Sequence, residues 1–173
     1  MRMSPGLRKF MLSVHLVSSM GWLGAVAAYL ALDLTAATSQ NPQMLRSVWI
    51  GMGLIVSVII VPLAIASLVT GIIQSLGTKW GLFEHWWVLI SLVLTIFATI
   101  VLVIKAGDIS AGAAALANPS SGHAPQGNSL LHSIGGLVIL LFITFLNVIK
   151  PTGFTPYGWR KQQQRRAVDH PST

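Results

Sequence analysis

The stretch SVHLVSSMGWLG places His15 and Trp22 seven residues apart inside an apolar run. An ionisable side chain in such a run is a functional hypothesis, because a polar or charged group in a bilayer is costly unless it pairs or binds something. A neutral imidazole is a common metal ligand and can also transfer protons. The alternative is a structural role, in which a neutral His15 ring simply hydrogen-bonds a nearby serine.

Two other histidines fall near the ends of apolar runs. His132 is followed closely by Gly136, and His85 lies in the aromatic segment TKWGLFEHWW. With a helical rise of about 1.5 Å per residue, His15 and His132 differ by roughly 18 Å in depth, so they are a poor pair for one metal ion. We therefore expect His15 and His85 to be the better pair, and His132 to use another partner such as Met52 or to have none.

The ligand types in the chain narrow the choice of metal. The absence of cysteine and the small number of carboxylates disfavour a dedicated zinc or calcium cage. Imidazole with methionine suits haem iron or copper. A haem also needs a flat apolar slot, which glycines beside the histidines and Trp22 are expected to form. The predicted cofactor is haem b, and its predicted binding residues are His15, His85, His132, Trp22 and Gly136, with His15 and His132 as metal ligands.

Four apolar runs must position these residues. The chain has 173 residues, of which 53% are hydrophobic and 9% are charged, a composition that is wrong for a soluble domain. Each run is long enough to cross an apolar layer of about 30 Å as a helix. We expect an all-α integral membrane four-helix bundle, formed by a single domain over 1–173, with a kink at Pro62. The predicted helices cover about 8–33, 46–76, 85–105 and 130–150, the connection 106–129 is predicted to be flexible, and 151–173 is predicted to be a basic tail.

Three of the runs carry a polar stripe when they are read at 3.6 residues per turn, and these stripes are expected to face the bundle interior. Gly21, Gly24 and Gly135 lie beside the stripes and are expected to permit close helix contact. Serine and threonine stripes also occur in ordinary packing of membrane helices. The stripes comprise His15, Ser18, Ser19, Trp22, Val26, Tyr29 and Asp33 in the first run, Trp87, Ser91, Thr95 and Thr99 in the third, and His132, Gly136, Ile139, Ile143 and Lys150 in the fourth.

The basic residues predict the orientation of the bundle. Nine lysines and arginines fall in the N-terminal segment, the 77–85 connection and the tail, whereas Arg46 and Lys105 fall on the other side. The positive-inside rule therefore places both termini in the cytoplasm, with the tail next to anionic lipid. A net charge of +7 distributed in this way indicates a membrane protein, and we expect no nucleic-acid partner.

Three stretches carry a resemblance to known proteins: KFMLSVHLVSSMGWLGAVAAYLAL, WGLFEHWWVLISLVLTIFAT and HSIGGLVILLFITFLNVIKPTGFTPYG. The chain resembles a bacterial family of predicted integral membrane proteins of unknown function, which implies a multi-pass protein of the bacterial inner membrane. The first stretch is similar, more remotely, to the opening helix of CopD-type copper-resistance proteins and HemJ-type protoporphyrinogen oxidases, which share the spacing of His15 and Trp22. The resemblance to HemJ implies that His15 is a haem ligand. The chain has Ser91 and Lys105 where such relatives tend to carry lysine and histidine.

The residues and the resemblance together predict a haem b-binding membrane protein for electron transfer or redox sensing. Two alternatives remain open: a cofactor-free membrane subunit or assembly factor, and a copper-handling membrane protein. The lipid bilayer is one expected partner, and another membrane protein or a second copy of the chain is the other. No carboxylate pair, Ser–His–Asp set or phosphate-binding glycine loop is visible, so no particular reaction is predicted.

Overall fold

The computed structural model describes residues 3–77, 81–117 and 130–169, and these residues form five helices without a strand. The helices are α1 (Pro5–Thr38), α2 (Pro42–Gly77), α3 (Trp86–Ala117), α4 (Leu130–Ile149) and a shorter α5 (Pro156–Asp169). The first four are long and apolar enough to cross a membrane, so the chain is a multi-pass membrane protein. The predicted all-α four-helix membrane bundle is therefore confirmed.

Side-chain caps start the first two helices earlier than the apolar runs suggest. Ser4 Oγ accepts a hydrogen bond from the amide of Leu7 at 3.4 Å, and Pro5 is the first helical residue. Asn41 Oδ1 accepts a hydrogen bond from the amide of Gln43 at 2.9 Å in the same way. Proline suits the first helical position because the amide hydrogen that it lacks would be unpaired there. Both helices thus begin in polar sequence, which a search for apolar runs does not detect.

α3 continues to Ala117, well past the predicted end near 105. Its last part is rich in alanine, which is the best helix former. Gly53 of α2 lies against this part, and a Cβ at Gly53 would come within 2.5 Å of the Cβ of Ala113. The two small residues therefore let α2 and α3 approach closely, and this contact keeps the alanine-rich segment in the bundle. The rest of the connection that was predicted to be flexible, 118–129, lies outside the described residues.

α2 changes its hydrogen-bonding pattern just before Pro62. Residues Val56–Ile60 form a π-helical turn, and the amide of Val61 donates to the carbonyl of Val56. Proline has no amide hydrogen and clashes with the carbonyl four residues back, so a wider turn relieves the strain on a regular α-helix. The irregularity predicted at Pro62 therefore begins one turn earlier, as a π turn.

The bundle has a terminal end and a distal end, which contain different ends of the helices. At the terminal end, the side chain of Met3 lies against Gly77, and the amide of Trp86 donates to the carbonyl of Gly153 at 3.3 Å. This end therefore holds the starts of α1 and α3 and the ends of α2 and α4. The distal end holds the end of α1, the start of α2, the end of α3 and the start of α4.

One apolar core joins the long helices. Trp22 of α1 is 3% exposed, and Met52 of α2 is fully buried. Leu140 brings α4 to the same cluster. The buried core comprises Trp22, Val26, Tyr29, Val48, Met52, Val56, Ile60, Ala64 and Leu140.

The predicted polar stripe of α1 faces the bundle interior, and that of α4 is displaced at its start. Trp22 and Asp33 of α1 are among the most buried residues, and Ser91 of α3 is also buried, as expected. On α4, Ile143 is buried as predicted, whereas at the start of the helix Ser133 is buried and the predicted His132 is exposed. The physical reason is that Asp33 of α1 forms a hydrogen bond with Ser133, which turns the neighbouring histidine outward.

Candidate functional site

His15 lies on the seam between α1 and the second half of α2. Its Nδ1 is 3.1 Å from the carbonyl oxygen of Ser67 and 3.2 Å from Oγ1 of Thr70. Gly71 makes room for the ring, because a Cβ there would be 3.1 Å from Cε1 of His15. One turn of α2 therefore supplies both the polar atoms and the gap that hold the imidazole in one orientation.

The tautomer of His15 follows from its partner. A carbonyl oxygen can only accept, so in the neutral ring Nδ1 carries the hydrogen and donates it to Ser67. Nε2 then carries the lone pair, and it makes no hydrogen bond to any residue that the structure describes. Metal-bound histidines commonly have this arrangement, with the second ring nitrogen donating to a carbonyl. His15 is therefore prepared to be a ligand, and it is equally suited to clamp two helices together.

Further polar atoms continue along the same seam. Ser19 and Ser67 share a hydroxyl hydrogen bond of 2.7 Å, and Thr70 Oγ1 donates to the carbonyl of Ala66 at 2.6 Å. One turn beyond Thr70, the buried Oε1 of Gln74 has no hydrogen-bond partner in the described part of the chain. The seam between α1 and α2 is thus polar toward the terminal end and apolar around Trp22.

Trp22 is a core residue in this structure. Its indole belongs to the cluster that contains Met52, Val56 and Ile60, each of which is 2% exposed or less. Interiors of this kind are close-packed, so a porphyrin next to Trp22 would have to displace several side chains. The structure therefore does not place Trp22 at the wall of a slot beside the seam histidine.

The other two candidate histidines lie apart from the seam. The ring of His85 precedes α3 at the terminal end, with its centroid 4.8 Å from that of Phe154 and 6.4 Å from that of Trp87. His132 is exposed on α4 at the distal end, and Gly136 faces open space. Within residues 3–77, 81–117 and 130–169, no three His, Asp or Glu side chains gather so as to hold a metal ion. One imidazole on the α1–α2 seam is left as the ligand candidate within the bundle.

The positions of the three candidate histidines determine how they could bind a haem. A single imidazole with a lone pair supplies one axial ligand, which is the protein ligation found in globins and peroxidases. The described side chains of the core pack against one another around Trp22, so a haem placed there would displace some of them. A haem bound by His15 would therefore lie at the outer edge of the seam, where the ring is partly exposed. His85, the partner that the sequence favours for His15, lies before α3 with its ring against Phe154, and His132 lies at the distal end, as the predicted difference in depth requires.

A buried carboxylate at the distal end joins α1 to α4. Asp33 is 2% exposed, and Ser133 Oγ donates to its Oδ2 at 2.6 Å. Tyr29 lies one turn before Asp33, and its buried hydroxyl makes no hydrogen bond to a described residue. Periodicity places Asp33 on the interior face, but no local signal identifies Ser133 as its partner. The prediction assigned the adjacent His132 to the interior face, whereas the structure buries Ser133 there.

A second buried carboxylate holds the basic tail. Glu84 is 7% exposed, and its Oε1 accepts hydrogen bonds from Lys161 Nζ at 2.6 Å and from Arg165 Nη2 at 3.4 Å. The two cations are four residues apart and therefore lie on one face of α5. The tail that was predicted from its charge alone thus forms a helix with a defined docking site, and sequence reasoning missed Glu84 as its anchor.

Backbone contacts fix α5 at the same place. The amide of Thr155 donates to the carbonyl of Glu84 at 3.0 Å, and Thr155 Oγ1 accepts from the amide of Gly158 at 3.0 Å as the N-cap of α5. A Cβ at Gly158 would overlap the carbonyl oxygen of Glu84, so only glycine permits this approach. The pair Thr155-Pro156 is a helix-start signal that the sequence does contain.

Comparisons with known proteins add no relative. No protein family, curated protein or solved structure matches the chain. The resemblance of the first stretch to CopD-type and HemJ-type proteins therefore stays a prediction.

Replacing Glu84 with Gln should release α5 from the bundle. The change keeps the size of the side chain but removes the charge that Lys161 and Arg165 share, and Glu84 is the buried member of these half-exposed ion pairs. We expect amide hydrogen exchange in α5 of the detergent-purified protein to become about tenfold faster, because exchange reports the free energy of local opening. Asp108→Asn removes an exposed carboxylate that pairs with Lys105 and is the matched control. Equal protection of α5 in Glu84→Gln and in the native chain would show that these ion pairs do not hold the helix.

Proposed function

We propose that the chain is a cofactor-free membrane subunit or assembly factor, which binds another membrane helix through its lipid-facing surface. The observation that carries this proposal is the pairing of interior polar side chains with one another, His15 with Ser67 and Thr70, and Asp33 with Ser133. Polar groups that are used in this way hold a scaffold together, because lipid offers them no other partner.

Glycines of α1 and α4 that have no close neighbour supply the second support. Gly24, Gly135 and Gly136 have no atom within 4 Å of the place where a Cβ would be. Glycine weakens a helix by about 1 kcal/mol relative to alanine, so a glycine without a close neighbour brings no benefit to the isolated chain. Small residues on membrane helices allow a second helix to approach closely. We infer that these glycines contact a helix from a second copy of the chain or from another membrane protein.

Photo-crosslinking in native membranes tests this surface. A photoreactive residue at Ala28, one turn after Gly24, or at Val138, one turn after Gly135, should produce an adduct with one polypeptide that mass spectrometry identifies. The same residue at Val93 of α3, which is 56% exposed, is the matched control and should label lipid alone. A chain that gives no polypeptide adduct from either glycine face, and that is monomeric in detergent, would contradict the proposal.

We further propose that the terminal end faces the cytoplasm of a bacterial cell and that the helices lie in its inner membrane. The basic residues of α1 and α5 belong to the terminal end, whereas Arg46 lies near the start of α2 and Lys105 lies in the second half of α3. Membrane proteins with this asymmetry keep the basic side in the cytoplasm.

Single cysteines report this orientation without background, because the chain contains none. Gln43→Cys, at the distal end, should react with a membrane-impermeant maleimide in intact cells. Gln164→Cys, on α5, is its matched partner and should react only after the cells are opened, because the positive-inside rule keeps the terminal end inside. The reverse labelling pattern would place the terminal end outside the cell.

A haem b site is the second candidate function. It is favoured by one observation, the lone pair on Nε2 of His15, which has no hydrogen-bond partner among the described residues. His15 would hold the iron, and its hydrogen bond to Ser67 would orient the ring. A bound haem would supply one-electron redox chemistry for electron transfer or redox sensing.

Purified protein separates the candidates. After expression with iron and a haem precursor, the cofactor-free proposal predicts no Soret band in the absorption spectrum and no copper in metal analysis. A Soret band that His15→Gln removes or shifts, and that the matched control His132→Gln leaves unchanged, would establish the haem site instead. Bound copper that is lost in His15→Gln would support the copper-handling alternative. Either result would overturn the cofactor-free proposal.

A further inference from the structure

We propose that the outer face of α5 binds the headgroups of anionic phospholipids, with Arg160 and Arg166 as the phosphate-binding residues. This surface is separate from the glycine faces of α1 and α4, so the proposal does not depend on the function proposed above. It rests on the depth of α5, on the division of its charges and on the aromatic side chains around it.

The docking of α5 sets its depth in the membrane. The amide of Trp86 donates to the carbonyl of Gly153 at 3.3 Å, and the amide of Thr155 donates to the carbonyl of Glu84 at 3.0 Å. Trp86 is the first residue of α3, and α3 is long and apolar enough to span the bilayer. The start of α3 therefore lies near the edge of the apolar layer, and the start of α5 lies beside it, at the level of the headgroups.

The cations of α5 divide into two sets. Lys161 and Arg165 bind the buried Glu84 and are used in docking. Arg160 and Arg166 are exposed and form no ion pair with the described residues. Successive helical residues are about 100° apart, so both arginines point away from the face that Glu84 occupies. Two guanidinium groups are therefore presented on the outside of a helix that is already fixed in place.

Exposed aromatic side chains lie on α5 and at the start of α3. Tyr157 is 57% exposed, Trp159 is 52% exposed, and Trp86 at the start of α3 is 49% exposed. Tryptophan and tyrosine favour the boundary between lipid and water, because their rings are apolar with one polar edge. Aromatic residues of this kind beside basic residues therefore fit a position at the membrane boundary.

Phosphate chemistry identifies the occupant of this face. The planar guanidinium group donates two parallel hydrogen bonds to phosphate oxygens. At the depth of α5, the available anions are lipid phosphates, and a basic segment at the surface of an anionic leaflet is attracted to them. The geometry therefore assigns Arg160 and Arg166 to phospholipid, whereas the carboxylate of Glu84 is already occupied by the other two cations.

Native mass spectrometry of the detergent-purified full chain tests the site. Phosphatidylglycerol should bind the native chain more tightly than phosphatidylcholine does at the same concentration. Arg160→Gln and Arg166→Gln should each weaken phosphatidylglycerol binding about fivefold, which is the effect of one basic residue near an anionic surface. Lys105→Gln removes one partly exposed charge outside the α5 site and is the matched control, which should leave binding unchanged. Amide protection of α5 should be the same in all three variants, so that weaker binding does not reflect undocking of the helix.

Several results would overturn the proposal. Equal binding of the two lipids, or native-like phosphatidylglycerol binding by the chain with both arginines replaced, would remove these residues from a lipid site. Displacement of the lipid by inorganic phosphate at the same concentration would show a site for free phosphate. A polypeptide adduct from a photoreactive residue at Gln163 that disappears in Arg160→Gln, without any lipid preference, would assign the face to a protein partner.

Discussion

Polar groups inside a bilayer-spanning bundle must find partners within the protein, because lipid offers none. Three pairings meet this requirement at three levels: Glu84 with the cations of α5 at the terminal end, His15 with Ser67 on the seam, and Asp33 with Ser133 at the distal end. Each joins elements that are far apart in sequence, and loss of either partner would leave a buried donor or acceptor unpaired. Apolar side chains alone would not select one rotation of each helix, since lipid and core are equally apolar. The polar pairs therefore decide which faces of the helices form the core.

The same polar pairings bear on whether the bundle holds a metal or a haem. An imidazole that clamps two helices through Nδ1 keeps Nε2 for a ligand, whereas His132 is exposed at the distal end and the ring of His85 packs against Phe154. Close packing around Trp22 fills the space that a buried porphyrin would need. The bundle also has glycines without close neighbours on α1 and α4, and a docked basic helix at its terminal end.

Much of this architecture is predictable from the sequence. What the sequence does not reveal are the contacts between residues on different helices. An apolar run of about 20 residues matches the thickness of the bilayer, so the number of such runs predicts the number of membrane-spanning helices. Periodicity correctly turns Trp22 and Asp33 inward. The hydrogen-bond partners of the buried polar residues cannot be predicted in this way. Glu84 and Lys161, for example, are separated by 77 positions, and no local pattern relates them. At the start of α4, Ser133 and His132 are neighbours, and only one of them can face the interior. Asp33 of α1 selects Ser133 by accepting its hydrogen bond, and the sequence of α4 alone does not show this.

Core-facing side chains of α2 follow one another in steps of four residues, at Met52, Val56, Ile60 and Ala64. In a regular α-helix each such step overshoots a full turn by about 40°, so a series of them spirals away from one face. The wide turn at Val56–Ile60 winds the chain more slowly and cancels part of this drift. α2 therefore contains one more residue in this turn than a regular α-helix would, and the wider turn keeps the core-facing side chains on one side of the helix. Deleting a single residue from this turn would remove the surplus residue and restore a regular α-helix, so Ser67 would still face His15.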